Sequence, residues 1–308
     1  MKREKFQKIN DYIYYLNTPS GDSHVGIVLV RGNENTLIDT GANEAAITDY
    51  LIPALRSEKL SLKDINTVTI THAHSDNIGG LSTLVREFPN INVKIPHGLV
   101  ESVRNPMNNI IKERALYPFH NPPFQEIRGV YATSELALNE TNRDNDEENS
   151  DLYIKDLTPI YVSGHADGVC WYHQQTETLI CGDALQGNGN TSQGLPYYTS
   201  IENYRSSLKK IEGISVNYMV TSHDMEGFSY IEEGLDNFRN AIKNCRKYVT
   251  MLSDSIKKYI ADGITSPEVI AKEIAVKHFD YAPEALTYAI QTVQTHITEE
   301  GLLRPANK

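Results

Sequence analysis

The chain is 308 residues long, more than one average core requires, so a main domain with a smaller appendage is the first expectation. Apolar residues at 40% and charged residues at 22% match ordinary globular usage and argue against a disordered, collagen-like or membrane-spanning chain. The formal charge of −11, with no local cluster of Lys and Arg, repels a phosphate backbone, so nucleic acid is not an expected partner.

Cys170, Cys181 and Cys245 include no CxxC pair, which suggests neither a disulfide framework nor a thiolate zinc site. The start, MKREKFQKINDYIYYLNT, is basic but lacks the uninterrupted apolar stretch of a signal peptide, and no 18-residue apolar run follows. A protein retained in a reducing cytoplasm, without a membrane partner, is expected.

DYIYYL, SHVGIVLV and NTLIDT, separated by turn residues, read as three antiparallel strands. From Asn43 the apolar spacing becomes helical in NEAAITDYLIPALRSE, and NTVTIT returns to a β-rich run that delivers the chain to His72. A helix around LSTLVREF, a strand NVKI and a helical stretch NPMNNIIKERAL close a first β-then-α half. The acidic, Asn-rich ELALNETNRDNDEENSD reads as a solvated loop without the Gly and terminal Glu of a calcium-binding loop. IKDLTPIYVS, GVCWYHQ and ETLICGD read as consecutive strands, followed by a helix in IENYRSSLKKIEG and a last strand in VNYMVTS. After Phe228 only helices are expected. The domain reading is therefore residues 1–227 as a catalytic layered α/β unit and 228–308 as a helical subdomain or cap, which could also carry a homodimer contact.

The strongest chemical signal is THAHSDNIGG, Thr71 to Gly80, where a strand ends and a polar loop leads into a helix. That geometry turns His72, His74 and Asp76 toward one point, and imidazole with carboxylate suits zinc or iron. The run resembles the HxHxDH signature of the metallo-β-lactamase superfamily, and LIDTG at Leu37 to Gly41 resembles its early strand-and-turn element. The resemblance matches the family's lone His to His165 in VSGHADG, its bridging Asp to Asp183 in LICGDAL and its final His to His223 in VTSHDMEG.

The resemblance implies a four-layer αββα sandwich with a C-terminal helical extension and a metal site in a groove at one edge of the sheets. It implies one metal on His72, His74 and His165 and a second on Asp76, Asp183 and His223, with zinc first and iron or manganese as alternatives. Asn77 stands where the family has its second-site His, so the second site keeps one strong donor fewer. Mononuclear and dinuclear forms both stay open, and Asn77 is expected in an exposed loop. The implied activity is attack of metal-bound hydroxide on a small ester-type substrate, thioester first, with Asp76 or Asp183 orienting the nucleophile. A mononuclear iron oxidoreductase resembling sulfur dioxygenases and a non-enzymatic metal-stabilised sensor are the alternatives.

Asp39 reads as a turn residue beside the ligands rather than a ligand. On the substrate side, His120 sits in the aromatic, Pro-rich YPFHNPPFQ, and Tyr197 and Tyr198 follow Asp183 in a loop that could cross the site. Cys170 and Cys181 alternate with apolar neighbours in strands, as buried small side chains rather than nucleophiles do.

Overall fold

The computed structural model describes residues 5–108, 127–136, 153–190, 194–278 and 285–303. Within them, β1 (Gln7–Lys8), β2 (Ile13–Ser20), β3 (Ser23–Val30), β4 (Thr36–Ile38), β5 (Thr67–Thr69), β6 (Asn92–Pro96) and β7 (Ser134–Leu136) form one sheet in sequence order. The first four strands pair antiparallel, and β4 to β7 run parallel. The second sheet has the order β12-β11-β10-β9-β8, from β8 (Leu157–Val162), β9 (Gly168–His173), β10 (Thr178–Gly182), β11 (Tyr218–Thr221) and β12 (Ile231–Glu233).

Side-chain alternation decides the layers, because successive residues of a strand face opposite sides. In β2, Ile13 and Tyr15 join Val169, Trp171 and Ile180 of the second sheet in a core between the sheets. Their neighbours Tyr14 and Leu16 pack instead with Leu51, Leu55, Leu81 and Leu84 of the helices on the outer face. Those helices include α1 (Ile52–Ser57, continuing a π-helical Ala46–Leu51), α2 (Ser75–Ile78), α3 (Leu81–Glu87) and α4 (Val100–Arg104). Trp171 fastens the two sheets directly: its buried indole N–H donates to the Ile70 carbonyl at 2.9 Å.

The outer face of the second sheet is covered by α5 (Ile201–Glu212), α6 (Leu235–Ala261), α7 (Pro267–His278) and α8 (Ala285–Glu299). Ile160, Cys170, Leu179 and Met219 from the strands share one apolar cluster with Tyr204, Phe238, Ile242, Ile274 and Val293 from these helices. The architecture is the four-layer αββα sandwich with C-terminal helices. All three cysteines are buried, and all lie in this second cluster.

Two elements depart from the sequence reading. β12 lies in the stretch expected to be helical, and it pairs with β11; its three residues are too few to display an alternation. β7 opens the segment read as an acidic loop, where Ser134, Glu135 and Leu136 pair with β6. Residues 137–152 and most of the helix expected at NPMNNIIKERAL lie outside the described residues. No helix among the described residues is long and apolar enough to cross a membrane.

The glycine pair that ends the THAHSDNIGG motif is dictated by backbone contact rather than by flexibility. A Cβ on Gly79 would stand 1.9 Å from the Ala42 carbonyl oxygen, and one on Gly80 would stand 2.3 Å from that of Thr40. The turn after β4 and the helix carrying Asp76 therefore touch main chain to main chain. Gly79→Ala is expected to lower the unfolding free energy by about 2 kcal/mol or more. Urea denaturation followed by circular dichroism measures this; an unchanged midpoint would show that the two segments separate without cost.

Candidate metal centre

The site begins with a buried carboxylate. Asp39 ends β4 in a left-handed conformation, φ 62°, which Asp tolerates better than most side chains. Its carboxylate accepts the Thr71 amide at 2.8 Å and the Thr71 hydroxyl at 2.7 Å, pinning the residue before His72. The Thr71 hydroxyl oxygen lies 3.1 Å from His72 Nδ1. With its own proton given to Asp39, that oxygen accepts from the imidazole, which leaves the lone pair on Nε2. Asp39 thus takes the place expected of it, in the turn beside the histidine cluster.

Two other histidines are oriented by backbone carbonyls. His165 Nδ1 donates to the Tyr197 carbonyl at 3.0 Å, and His223 Nδ1 donates to the His24 carbonyl at 2.6 Å. Both therefore turn Nε2 inward. His165 Nε2 meets His74 Nδ1 at 3.1 Å. Donor atoms of His72, His74, His165 and Asp183 all lie within 4.8 Å of one another. Asp183 Oδ2 stands in the middle, 3.7 Å from His72 Nε2, 3.6 Å from His165 Nε2 and 3.5 Å from His223 Nε2. On its far side His223 Nε2 pairs with Asp76 Oδ2 at 3.1 Å.

Burial, with His74 alongside, lowers the pKa of His72 to about 3 and that of His165 to about 4, so both rings are neutral at neutral pH. Burial also works against charge on His223, but Asp183 and Asp76 overcome it and raise its pKa well above the histidine value. Burial opposes ionisation of Asp76 and Asp183 too, yet the neighbouring imidazoles hold both carboxyls below their usual range. His72 and His165 offer neutral nitrogen donors, and the Asp76–His223 end favours a positive charge.

Asn77 corrects the sequence reading. It is fully buried in α2 rather than exposed in a loop. Its Nδ2 donates to Asp39 Oδ2 at 3.0 Å and to Ser222 Oγ at 3.0 Å, and its main-chain carbonyl accepts from Thr40 N and Oγ1. Through Nδ2 the amide braces the turn of Asp39 against the segment before His223, while its Oδ1 is buried without a hydrogen-bond partner.

Of the substrate-side candidates, Tyr197 stands at the site, its ring centroid 5.5 Å from His165 and 6.2 Å from His74. Tyr198 does not: it is fully buried and packs on Tyr204 and His296, because consecutive residues of this loop face opposite ways. His120 lies outside the described residues. Beside His223, Tyr15, Asp22, His24, Asn190, Asp224 and Tyr230 line a polar cavity of about 230 Å³.

Sequence reasoning missed Gln186, Tyr288 and the carbonyl of His24. Gln186 is buried, donates to the Asp183 carbonyl at 2.8 Å and accepts from Tyr197 N at 3.2 Å, so it joins the segment of Asp183 to the one whose carbonyl orients His165. Its position three residues after Asp183 was the only available signal. Tyr288, on α8, sets its ring edge-on to Tyr197 at 5.2 Å.

The donor set fits a divalent metal. His72 Nε2 and Asp183 Oδ1 are buried without a hydrogen-bond partner, an arrangement costly by about 1–3 kcal/mol per group unless a ligand completes it. Three imidazoles and a carboxylate oxygen are the donors that zinc and similar ions take.

Comparison with known proteins agrees. The chain is 40% identical over 263 residues to a hydroxyacylglutathione hydrolase of Aliivibrio salmonicida, covering 84% of this chain and 83% of that protein. It is 24% identical over 199 residues to an atrochrysone carboxyl ACP thioesterase of Aspergillus fumigatus, covering 64% of this chain but only 49%, about half, of that protein's length. A metallo-beta-lactamase family protein of Thermus thermophilus superposes with a TM-score of 0.70 at 18% identity, over 96% of this chain and 95% of the other, a likeness of fold. The sequence profile of the metallo-beta-lactamase superfamily matches residues 20–223, and the chain belongs to that superfamily.

Proposed function

We infer that the protein is a divalent-metal hydrolase that cleaves a thioester of a small carboxylic acid. The observation that carries this reading is the convergence of His72, His74, His165 and Asp183 on one point, within a superfamily of metallo-hydrolases. Two relatives favour the thioester: one is named an ACP thioesterase and the other a hydroxyacylglutathione hydrolase. The cavity beside His223 has two carboxylates and no Lys or Arg in its lining, which favours a neutral or cationic group there over an anionic one.

His72, His74 and His165 would hold the principal ion, and Asp76, Asp183 and His223 a second, with Asp183 between them. Zinc suits these donors best, with iron or manganese as alternatives. A bound ion supplies Lewis acidity and brings the pKa of a water down to about 7. The chain does the rest. Asp183, closed in by three imidazoles, fixes the spacing of the donors. Asp76 keeps 28% of its side chain exposed and is held ionised by His223. It is therefore the carboxylate placed to take a proton from the attacking water and pass it to the leaving thiolate. Tyr197, backed by Tyr288, sets an aromatic ring beside His165 and His74.

His165→Ala is expected to remove the principal ion and lower kcat/KM on a thioester by more than about 100-fold. Metal counted after dialysis, together with thiol release from a panel of thioesters, oxygen esters and lactones, tests both parts. Thioesters should turn over fastest; turnover of oxygen esters or lactones alone, or bound iron with oxygen consumption, would replace the thioesterase reading. Asp76→Asn should lower kcat by about 100-fold or more with KM little changed and the principal ion retained. An unaltered kcat would remove Asp76 from proton handling. Asn77→Ala, which strips a donor from buried Asp39, should cost about 1–3 kcal/mol in urea denaturation; a neutral result would mean that another group satisfies Asp39.

A further inference from the structure

A hydroxyl on the buried side of a helix commonly turns back on the carbonyl one turn earlier, as Ser253 does toward Val249 at 3.1 Å. Thr292, buried in α8, does otherwise. Its Oγ1 donates to the Pro196 carbonyl at 2.6 Å and accepts the Tyr198 amide at 3.1 Å. The two bonds straddle Tyr197, whose own amide is held by Gln186. Thr295, one turn on, reaches the Tyr198 carbonyl at 3.1 Å, and Glu299 accepts the amides of Ile201 and Glu202. The segment Pro196–Glu202 is thus sewn to α8 at several points, while the main-chain groups of Tyr197 itself point away from α8, the amide to Gln186 and the carbonyl to His165 Nδ1.

We propose that Thr292 is a positioning residue of the metal centre: its hydroxyl fixes the peptides on both sides of Tyr197 and thereby aims the Tyr197 carbonyl that orients His165. This rests on the assignment of His165 as a ligand. The C-terminal helix then belongs to the metal centre through Thr292 as well as through the Tyr288 ring packed on Tyr197. A group that orients a ligand through its hydrogen bond typically changes metal affinity by about 10–100-fold when removed, and Thr292 acts one bond further out.

The test is a graded series in the full-length chain: Thr292→Ser keeps the hydroxyl, Thr292→Cys has the shape of serine with a weaker donor, and Thr292→Val keeps the shape of threonine with neither donor nor acceptor. Zinc affinity is read by competition with a chromophoric chelator, and the melting temperature of the metal-free protein by circular dichroism. Expected are wild-type affinity within about threefold for Thr292→Ser and a loss of about tenfold for Thr292→Val, with Thr292→Cys between. Should the valine variant not fold, the serine–cysteine difference still decides. Cysteine or valine variants that are less stable yet bind zinc as tightly as wild type would reduce Thr292 to a packing role and overturn the proposal. A wild-type chain that binds no zinc, cobalt, iron or manganese would overturn the metal-centre reading itself, and the positioning role with it.

Discussion

The buried carboxylate of Asp39 is the constraint on which the arrangement of the first half depends. It is held in a strained left-handed turn and takes three hydrogen bonds, two from Thr71 and one from Asn77. Burial still pushes its pKa up to about 7 despite those donors. Through Thr71 it sets the end of the strand that presents His72; through Asn77 it reaches Ser222, next to His223 in the other sheet. One side chain therefore connects the backbone geometry of the two halves that carry the clustered histidines, while the glycine pair at 79 and 80 lets the two turns approach closely enough for it to do so.

The second half is organised around the opposite kind of contact, an apolar one. Strands β8 to β11 and the helices from Ile201 onward share a single cluster of buried side chains. Into that cluster a few polar groups are admitted, each tied to Asp183 or to the segment Pro196–Tyr198: the amide of Gln186 and the hydroxyls of Thr292 and Thr295. Buried polar groups of this kind are costly unless satisfied, so where they occur they specify one arrangement of the loop rather than adding stability in bulk.

Much of this was legible in the order of residues. The strands at DYIYYL, SHVGIVLV, GVCWYHQ and ETLICGD showed themselves because β-branched and aromatic residues run between clear turn signals, and HAHSD showed itself because three donors crowd one strand end. The function of Asn77 was not, since its partners lie 38 and 145 residues away and an amide carries no periodic pattern. Nor was the difference between Tyr197 and Tyr198, which depends on how an irregular loop is rotated. The three residues of β12 were absorbed into a helical reading because pairing with β11, not their own spacing, makes them a strand.

The burial of the cysteines bears on the chemistry of the product that the proposed thioester hydrolysis would release. Thioester cleavage releases a thiol close to the protein surface, and accessible cysteines of ordinary acidity would enter exchange with its oxidised forms. Here Cys170, Cys181 and Cys245 are all enclosed, and burial raises the pKa of Cys181 and of Cys245, so little thiolate forms and nothing from solution reaches it. Packing these three sulfurs against α5 and α6 leaves the protein chemically mute toward the thiols it would liberate, with no need for a dedicated protective device.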